Sequence, residues 1–73
     1  MAAQILKSPI SGIVWKLVSV PGSHFSVGDA LLLVECMKME VPIEAPSSGC
    51  LVSFMVAEGD VIEAGQELAH YEF

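Results

Sequence analysis

The segment Glu35-Cys36-Met37-Lys38-Met39-Glu40 lies at the centre of the 73-residue chain, between two apolar runs. If the segment and its flanks formed one strand over residues 30–45, that strand would far exceed the usual length of about five or six residues. The chain therefore reverses here, and we place Lys38 at the tip of a hairpin. Because the tip contains no Gly, Asn or Asp, the sequence predicts a four- or five-residue connection built on a type I turn, not a two-residue primed turn.

The two halves of the chain match each other without a gap when residues 8–35 are laid on residues 45–72. The identical positions include one proline pair and three glycine pairs: Pro9 with Pro46, Gly12 with Gly49, Gly22 with Gly59, and Gly28 with Gly65. This repeat predicts two similar halves that pack on one another about a pseudo-two-fold axis. The same shift places the equivalent of Lys38 at residue 1, so we expect the chain ends to lie side by side at the pole opposite Lys38.

Short apolar runs rich in β-branched and aromatic residues, such as 13–20 and 50–57, are separated by Gly, Pro and Ser. This pattern predicts an all-β fold of short strands and tight turns. Alternation along 13–20 places Val14, Lys16, Val18 and Val20 on one face, and Ile13, Trp15, Leu17 and Ser19 on the other. We expect Trp15 to be partly buried. The predicted core comprises Val14, Leu17, Leu31, Leu33, Leu51, Phe54 and Leu68.

Composition excludes several classes of function. A net charge of -6 with only three basic residues argues against binding to nucleic acid or to anionic membranes. The longest apolar run is too short to cross a bilayer, and the first seven residues lack the regions of a signal peptide. Cys36 and Cys50 do not have the spacing of a disulfide framework or a metal site. We therefore expect a cytoplasmic protein with reduced thiols and no metal.

The sequence also lacks the motifs of a catalytic site, including a nucleophile elbow, a phosphate-binding loop and a dinucleotide-binding glycine pattern. The unusual feature is a lysine between two methionines at a turn. In one interpretation Met37 and Met39 cover the end of the core and Lys38 is only a surface charge. In the other, the flexible thioethers form a recognition surface and Lys38 is modified. A lysine amine is a poor nucleophile at neutral pH, so an enzyme would have to supply an activated acyl group.

The segment 35–40 and its continuation 41–49 resemble the attachment motif of biotinyl domains, whose core is Met-Lys-Met with biotin on the lysine. Residues 22–31 and 59–68 are similar to the same family, so the resemblance covers a single biotinyl (biotin/lipoyl attachment) domain over 1–73. It implies a flattened β-barrel sandwich of two four-stranded antiparallel sheets, with the lysine on an exposed hairpin.

The resemblance implies that Lys38 is biotinylated and that Met37, Met39, Glu35 and Glu40 are recognised by biotin protein ligase and by later partners. The domain would act as a biotin carboxyl carrier, a non-catalytic part of a biotin-dependent carboxylase such as an acyl-CoA carboxylase. It would move carboxyl groups between a biotin carboxylase and a carboxyltransferase. Whether it is a free subunit or part of a longer protein stays open.

Two alternatives remain. A lipoyl carrier has the same fold, but that family has an acidic residue before the lysine and usually alanine after it, where this chain has Met37 and Met39. An unmodified binding module of barrel-sandwich type would use Lys38 only as a surface charge. Cys36 departs from the biotinyl pattern, in which alanine is usual, and would place a thiol beside the cofactor.

Overall fold

The computed structural model describes residues 3–73, which form eight β-strands and no helix. The strands are β1 (Ala3–Lys7), β2 (Gly12–Leu17), β3 (His24–Phe25), β4 (Ala30–Cys36), β5 (Met39–Glu44), β6 (Gly49–Phe54), β7 (Val61–Ile62) and β8 (Glu67–Glu72). They form two four-stranded sheets with the orders β1-β8-β6-β3 and β5-β4-β2-β7. Every strand pairing is antiparallel. The predicted all-β sandwich is confirmed.

The internal repeat is visible in the turns. Gly22 donates its N–H to the Leu51 carbonyl at 2.7 Å, and Gly59 donates to the Val14 carbonyl at the same distance. The two glycines have φ angles of 92° and 93°, which only glycine adopts without strain. The halves are offset by 37 residues, and this offset carries β2, β3 and β4 onto β6, β7 and β8, and β1 onto β5. The strand order of one sheet therefore reproduces that of the other. The predicted pseudo-two-fold relation between the halves is confirmed.

Gly12 is required for a different reason, the close approach of two strands. A Cβ atom at this position would lie 2.5 Å from the Glu35 carbonyl oxygen and 2.7 Å from Cγ1 of Val34. Gly49 meets the Glu72 carbonyl in the same way in the other sheet. These glycines let β2 and β6 pack closely against the strands that lead to the hairpin and to the chain end.

The core lies between the sheets and is built from both halves. The largest of its fully buried side chains are those of Val14, Leu31, Leu32, Val34, Leu51, Ile62 and Leu68. Four predicted core residues, Val14, Leu31, Leu51 and Leu68, are among them. Leu17 and Phe54 are partly buried and pack against the core.

The predicted alternation along β2 and the predicted core position of Leu33 were wrong. A bulge between Val14 and Lys16 changes the phase of β2, so Lys16 is exposed and does not share the inward face of Val14, and Trp15 is half-exposed, at 50%. The strand then ends at Leu17, and Val18 is exposed instead of sharing the inward face of Val14. An irregularity between Ala30 and Leu32 likewise buries Leu32 and leaves Leu33 only partly buried.

The chain ends lie side by side, because Ala3 of β1 pairs with Glu72 of β8. Glu63 lines the same groove as Lys38, and the loop that contains Glu63 leads into β8. Strand β8 then runs about 20 Å over its six residues. The described chain measures 36 × 18 × 17 Å, so this run covers most of its length. The ends are therefore together and distant from Lys38, as predicted; residue 1 itself lies outside the described residues.

Candidate functional site

The hairpin between β4 and β5 closes through a two-residue turn. Cys36 pairs with Met39, and the residues between them, Met37 and Lys38, have φ angles of 53° and 65°. Two consecutive left-handed residues define a type I′ turn, whose twist matches that of the flanking strands. The predicted four- or five-residue connection was therefore wrong. The strand twist prevails over the poor left-handed preference of methionine and lysine.

The turn presents Lys38 to solvent. Met37 is 91% exposed and Met39 is 69% exposed, and Lys38 between them is also exposed. Within residues 3–73 the one contact closer than 4 Å between a basic and an acidic side chain joins Nε2 of His70 to Oε1 of Glu67, at 3.6 Å. The Lys38 amine is thus free of a carboxylate partner in the described chain and is open to a reagent that approaches from outside.

Two carboxylates stand beside this lysine on the outer face of the sheet. Glu35 and Glu40 are directly opposite each other across β4 and β5, and both are exposed. Like charges in this arrangement destabilise a strand pair, and no basic side chain of the described residues lies within 4 Å of either carboxylate. All five predicted site residues lie together on the hairpin.

A groove runs from the hairpin to β7 and has a volume of about 540 Å³. We call it the Lys38 groove; it is lined by Ser11, Gly12, Ile13, Glu35, Cys36, Met37, Lys38, Val61, Ile62 and Glu63. Ile13, Val61 and Glu63 were not predicted from the sequence to be neighbours of Lys38. They arrive there through the pairing of Ile13 with Val61. The available signal was an apolar pair, 61–62, directly after the Gly59-Asp60 turn.

Three other features, a metal site, a disulfide and a membrane-spanning helix, are absent from the described residues. Residues 3–73 contain no group of three or more His, Cys, Asp or Glu side chains arranged to hold a metal ion. Cys36 and Cys50 are free thiols. None of the described segments forms a helix that is long and apolar enough to span a bilayer.

The site therefore consists of one solvent-exposed primary amine on a tight turn, surrounded by exposed methionine and glutamate side chains. An acyl group can be attached there without moving any core residue, so the lysine fits a cofactor bound through an amide. Fold and site together define a small carrier domain.

The comparisons with known proteins agree. The chain belongs to the biotin-requiring enzyme family, whose model matches residues 1–70. It is 37% identical over 67 residues to the biotinylated protein TB7.3 homolog of Mycobacterium leprae, covering 92% of this chain and 94% of that protein. It is 36% identical over 70 residues to the urea amidolyase of Saccharomyces cerevisiae, covering 96% of this chain and 4% of that enzyme.

A solved structure shows the same fold. The urea carboxylase of Kluyveromyces lactis superposes with a TM-score of 0.92 at 33% identity, over 99% of this chain and 6% of that one. The present chain is thus similar to a small part of these large enzymes and to nearly the whole of the M. leprae protein. It is a biotin carrier domain, and its cofactor is covalently bound biotin. The lipoyl alternative is not supported.

Proposed function

We propose that Lys38 is the biotin attachment site and that the domain, itself non-catalytic, carries carboxyl groups between a biotin carboxylase and a carboxyltransferase. The observation that carries this proposal is the isolated, exposed amine on the type I′ turn. The other basic side chains, Lys7 and Lys16, lie within strands β1 and β2 and have no comparable presentation. Cytoplasmic location remains a prediction.

Loading requires the Lys38 amine to lose a proton and to attack an activated carboxyl carbon of biotin, forming an amide and expelling the activating group. The turn supports this step because the exposed amine has no carboxylate partner in the described chain that would hold it away from the activated biotin. Amide formation removes the lysine charge and changes the net charge from -6 to -7.

Recognition by a biotin protein ligase is proposed to use the flanking side chains. Met37 and Met39 offer exposed, adaptable apolar surface, and the Glu35–Glu40 pair offers two adjacent carboxylates. A partner that places a basic side chain against this pair would relieve the repulsion between the carboxylates. The free hairpin thus presents two neighbouring carboxylates with which a basic partner surface can pair.

The dimensions of the domain support a role in moving biotin between two separate sites. When bound, biotin supplies a ureido nitrogen that takes up and releases a carboxyl group. The lysine side chain and the valeryl chain together reach about 13 Å, at about 1.3 Å of advance per bond. Because the body is 36 Å long and the chain ends lie far from Lys38, the whole domain can swing while its tip enters a partner site.

The test is intact mass after co-expression with a biotin protein ligase. One biotinyl increment is expected, and Lys38→Arg should abolish it while Lys7→Arg and Lys16→Arg retain it. Treatment with a lipoyl ligase should leave the mass unchanged. A biotinyl increment that persists in Lys38→Arg would disprove the assignment, and an unmodified wild-type chain would favour the simple binding module.

A further inference from the structure

The floor of the Lys38 groove is formed by exposed apolar side chains that are not part of the hydrophobic core. Ile13 and Val61 are paired neighbours on the outer face of the sheet, 45% and 73% exposed. Met37, at 91% exposure, also lines the groove next to Lys38. Three exposed apolar side chains thus surround one concave surface, which begins at the residue that we assign as the attachment site.

The internal repeat provides a comparison within the same molecule. The equivalent groove at the other pole has a volume of about 400 Å³, and His24 and Cys50 occupy the places of Val61 and Ile13. The fold therefore generates a groove at both poles. The Lys38 groove has the apolar Ile13–Val61 pair as its floor, whereas the other groove has His24 and Cys50 in those places and the exposed Phe73 in its lining.

Polar groups at the rim are also complementary to a cyclic urea. The Ser11 hydroxyl oxygen accepts the Ala64 N–H at 3.1 Å, so its own O–H is available to donate to a carbonyl. Glu63 and Glu35 line the groove with carboxylates that can accept N–H groups. A bicyclic urea offers two N–H donors, one carbonyl acceptor and an apolar thioether ring, and a volume of about 540 Å³ is sufficient to hold it.

The geometry points to a resting site for the biotinyl-Lys38 arm on this domain, with the bicyclic ring against Ile13, Val61 and Met37. This inference rests on the proposed attachment at Lys38. Lys38 itself lines the groove, so an arm of about 13 Å can fold back onto it. A short tether gives an effective concentration of the order of millimolar, so a groove whose dissociation constant for free biotin is about millimolar is occupied by the attached ring for a large fraction of the time.

The first experiment compares amide NMR spectra of the apo protein and of protein shown by intact mass to be fully biotinylated. Docking is expected to shift the amides of Ile13, Val61 and Glu63 in addition to those of the hairpin 36–40. Val61→Asp, at an exposed position of a two-residue strand, should remove the distant shifts. Val61→Ser provides a milder variant if the aspartate disturbs the apo spectrum.

The second experiment measures the rate at which streptavidin captures the biotinylated domain. If the arm is docked about two thirds of the time, about one third of the molecules is free for capture, so the capture rate is about threefold lower than for an arm that never docks. Val61→Asp should raise the rate by about that threefold factor. Val20→Asp introduces the same charge at an exposed position outside the groove and should leave the rate unchanged.

The two proposals fail in different ways. An absence of biotin from Lys38 in the mass spectrum overturns the attachment site before the groove is tested. Complete biotinylation, with shifts confined to 36–40 and equal capture rates for wild type and Val61→Asp, overturns the resting site and leaves the carrier function intact.

Discussion

The left-handed backbone at Met37, with a φ angle of 53°, lowers the free energy of unfolding, because methionine adopts this conformation at a cost. Replacing Met37 with asparagine should therefore stabilise the domain. A left-handed conformation costs an ordinary L-residue about 1–2 kcal/mol, and asparagine tolerates it better. Met37 is 91% exposed, so the apolar burial lost is only about a few tenths of a kcal/mol. The expected net gain for Met37→Asn is about 0.5–1 kcal/mol, or roughly 2–8 °C in Tm.

Two matched variants isolate the backbone effect. Met37→Val introduces a β-branched side chain at the same positive φ and should lower the stability by about 1 kcal/mol. Met39→Asn changes the neighbouring methionine, which lies in β5, and should lower stability by about 0.5 kcal/mol through poorer strand preference. Thermal unfolding followed by circular dichroism measures all three. If Met37→Asn lowers Tm as much as Met39→Asn does, the strain argument is refuted.

Three further changes test other parts of the structure by urea unfolding. Gly12→Ala should lower stability by about 2 kcal/mol or more, since its Cβ would collide with the Glu35 carbonyl; an unchanged midpoint would contradict the close approach. Glu40→Lys should raise stability by a few tenths of a kcal/mol by pairing with Glu35, yet slow biotin loading in a ligase assay. Leu68→Ala, in the fully buried core, should cost about 2–5 kcal/mol, and a loss below 1 kcal/mol would contradict its central position.

The duplicated halves, the all-β class and the exposed lysine were predictable because each depends on residue type at a position. Matching glycines marked matching turns, and a charged residue between two apolar runs marked the reversal. These signals are local, so tertiary packing did not alter them. The pseudo-two-fold relation then located the chain ends without any knowledge of the strand order.

The errors arose where the backbone departs from regular alternation. A bulge after Val14 inserts one extra residue into β2, so every later side chain changes face, and nothing in the sequence around Trp15 marks this insertion. The turn type was wrong because methionine and lysine carry no left-handed preference, and only the twist of the paired strands imposes it. The Lys38 groove was missed because Ile13 and Val61 are brought together by a two-residue strand.

The repeat separates what the fold requires from what the function requires. Features needed for folding occur in both halves: the tight glycine at Gly12 recurs at Gly49, and each loop N–H is capped by an equivalent serine, Ser11 on Ala64 and Ser48 on Val27.

Features beside Lys38 occur only once. Glu35 faces Glu40 across the hairpin, whereas its equivalent Glu72 faces Ala3, so the fold does not depend on a pair of opposed carboxylates. The exposed Ile13–Val61 floor is likewise confined to this pole. A feature that one half retains and the other lacks, and that lowers stability or exposes apolar surface, is explained by an interaction made at that pole. In this molecule the opposed carboxylates and the Ile13–Val61 pair both border Lys38, the lysine at the hairpin turn.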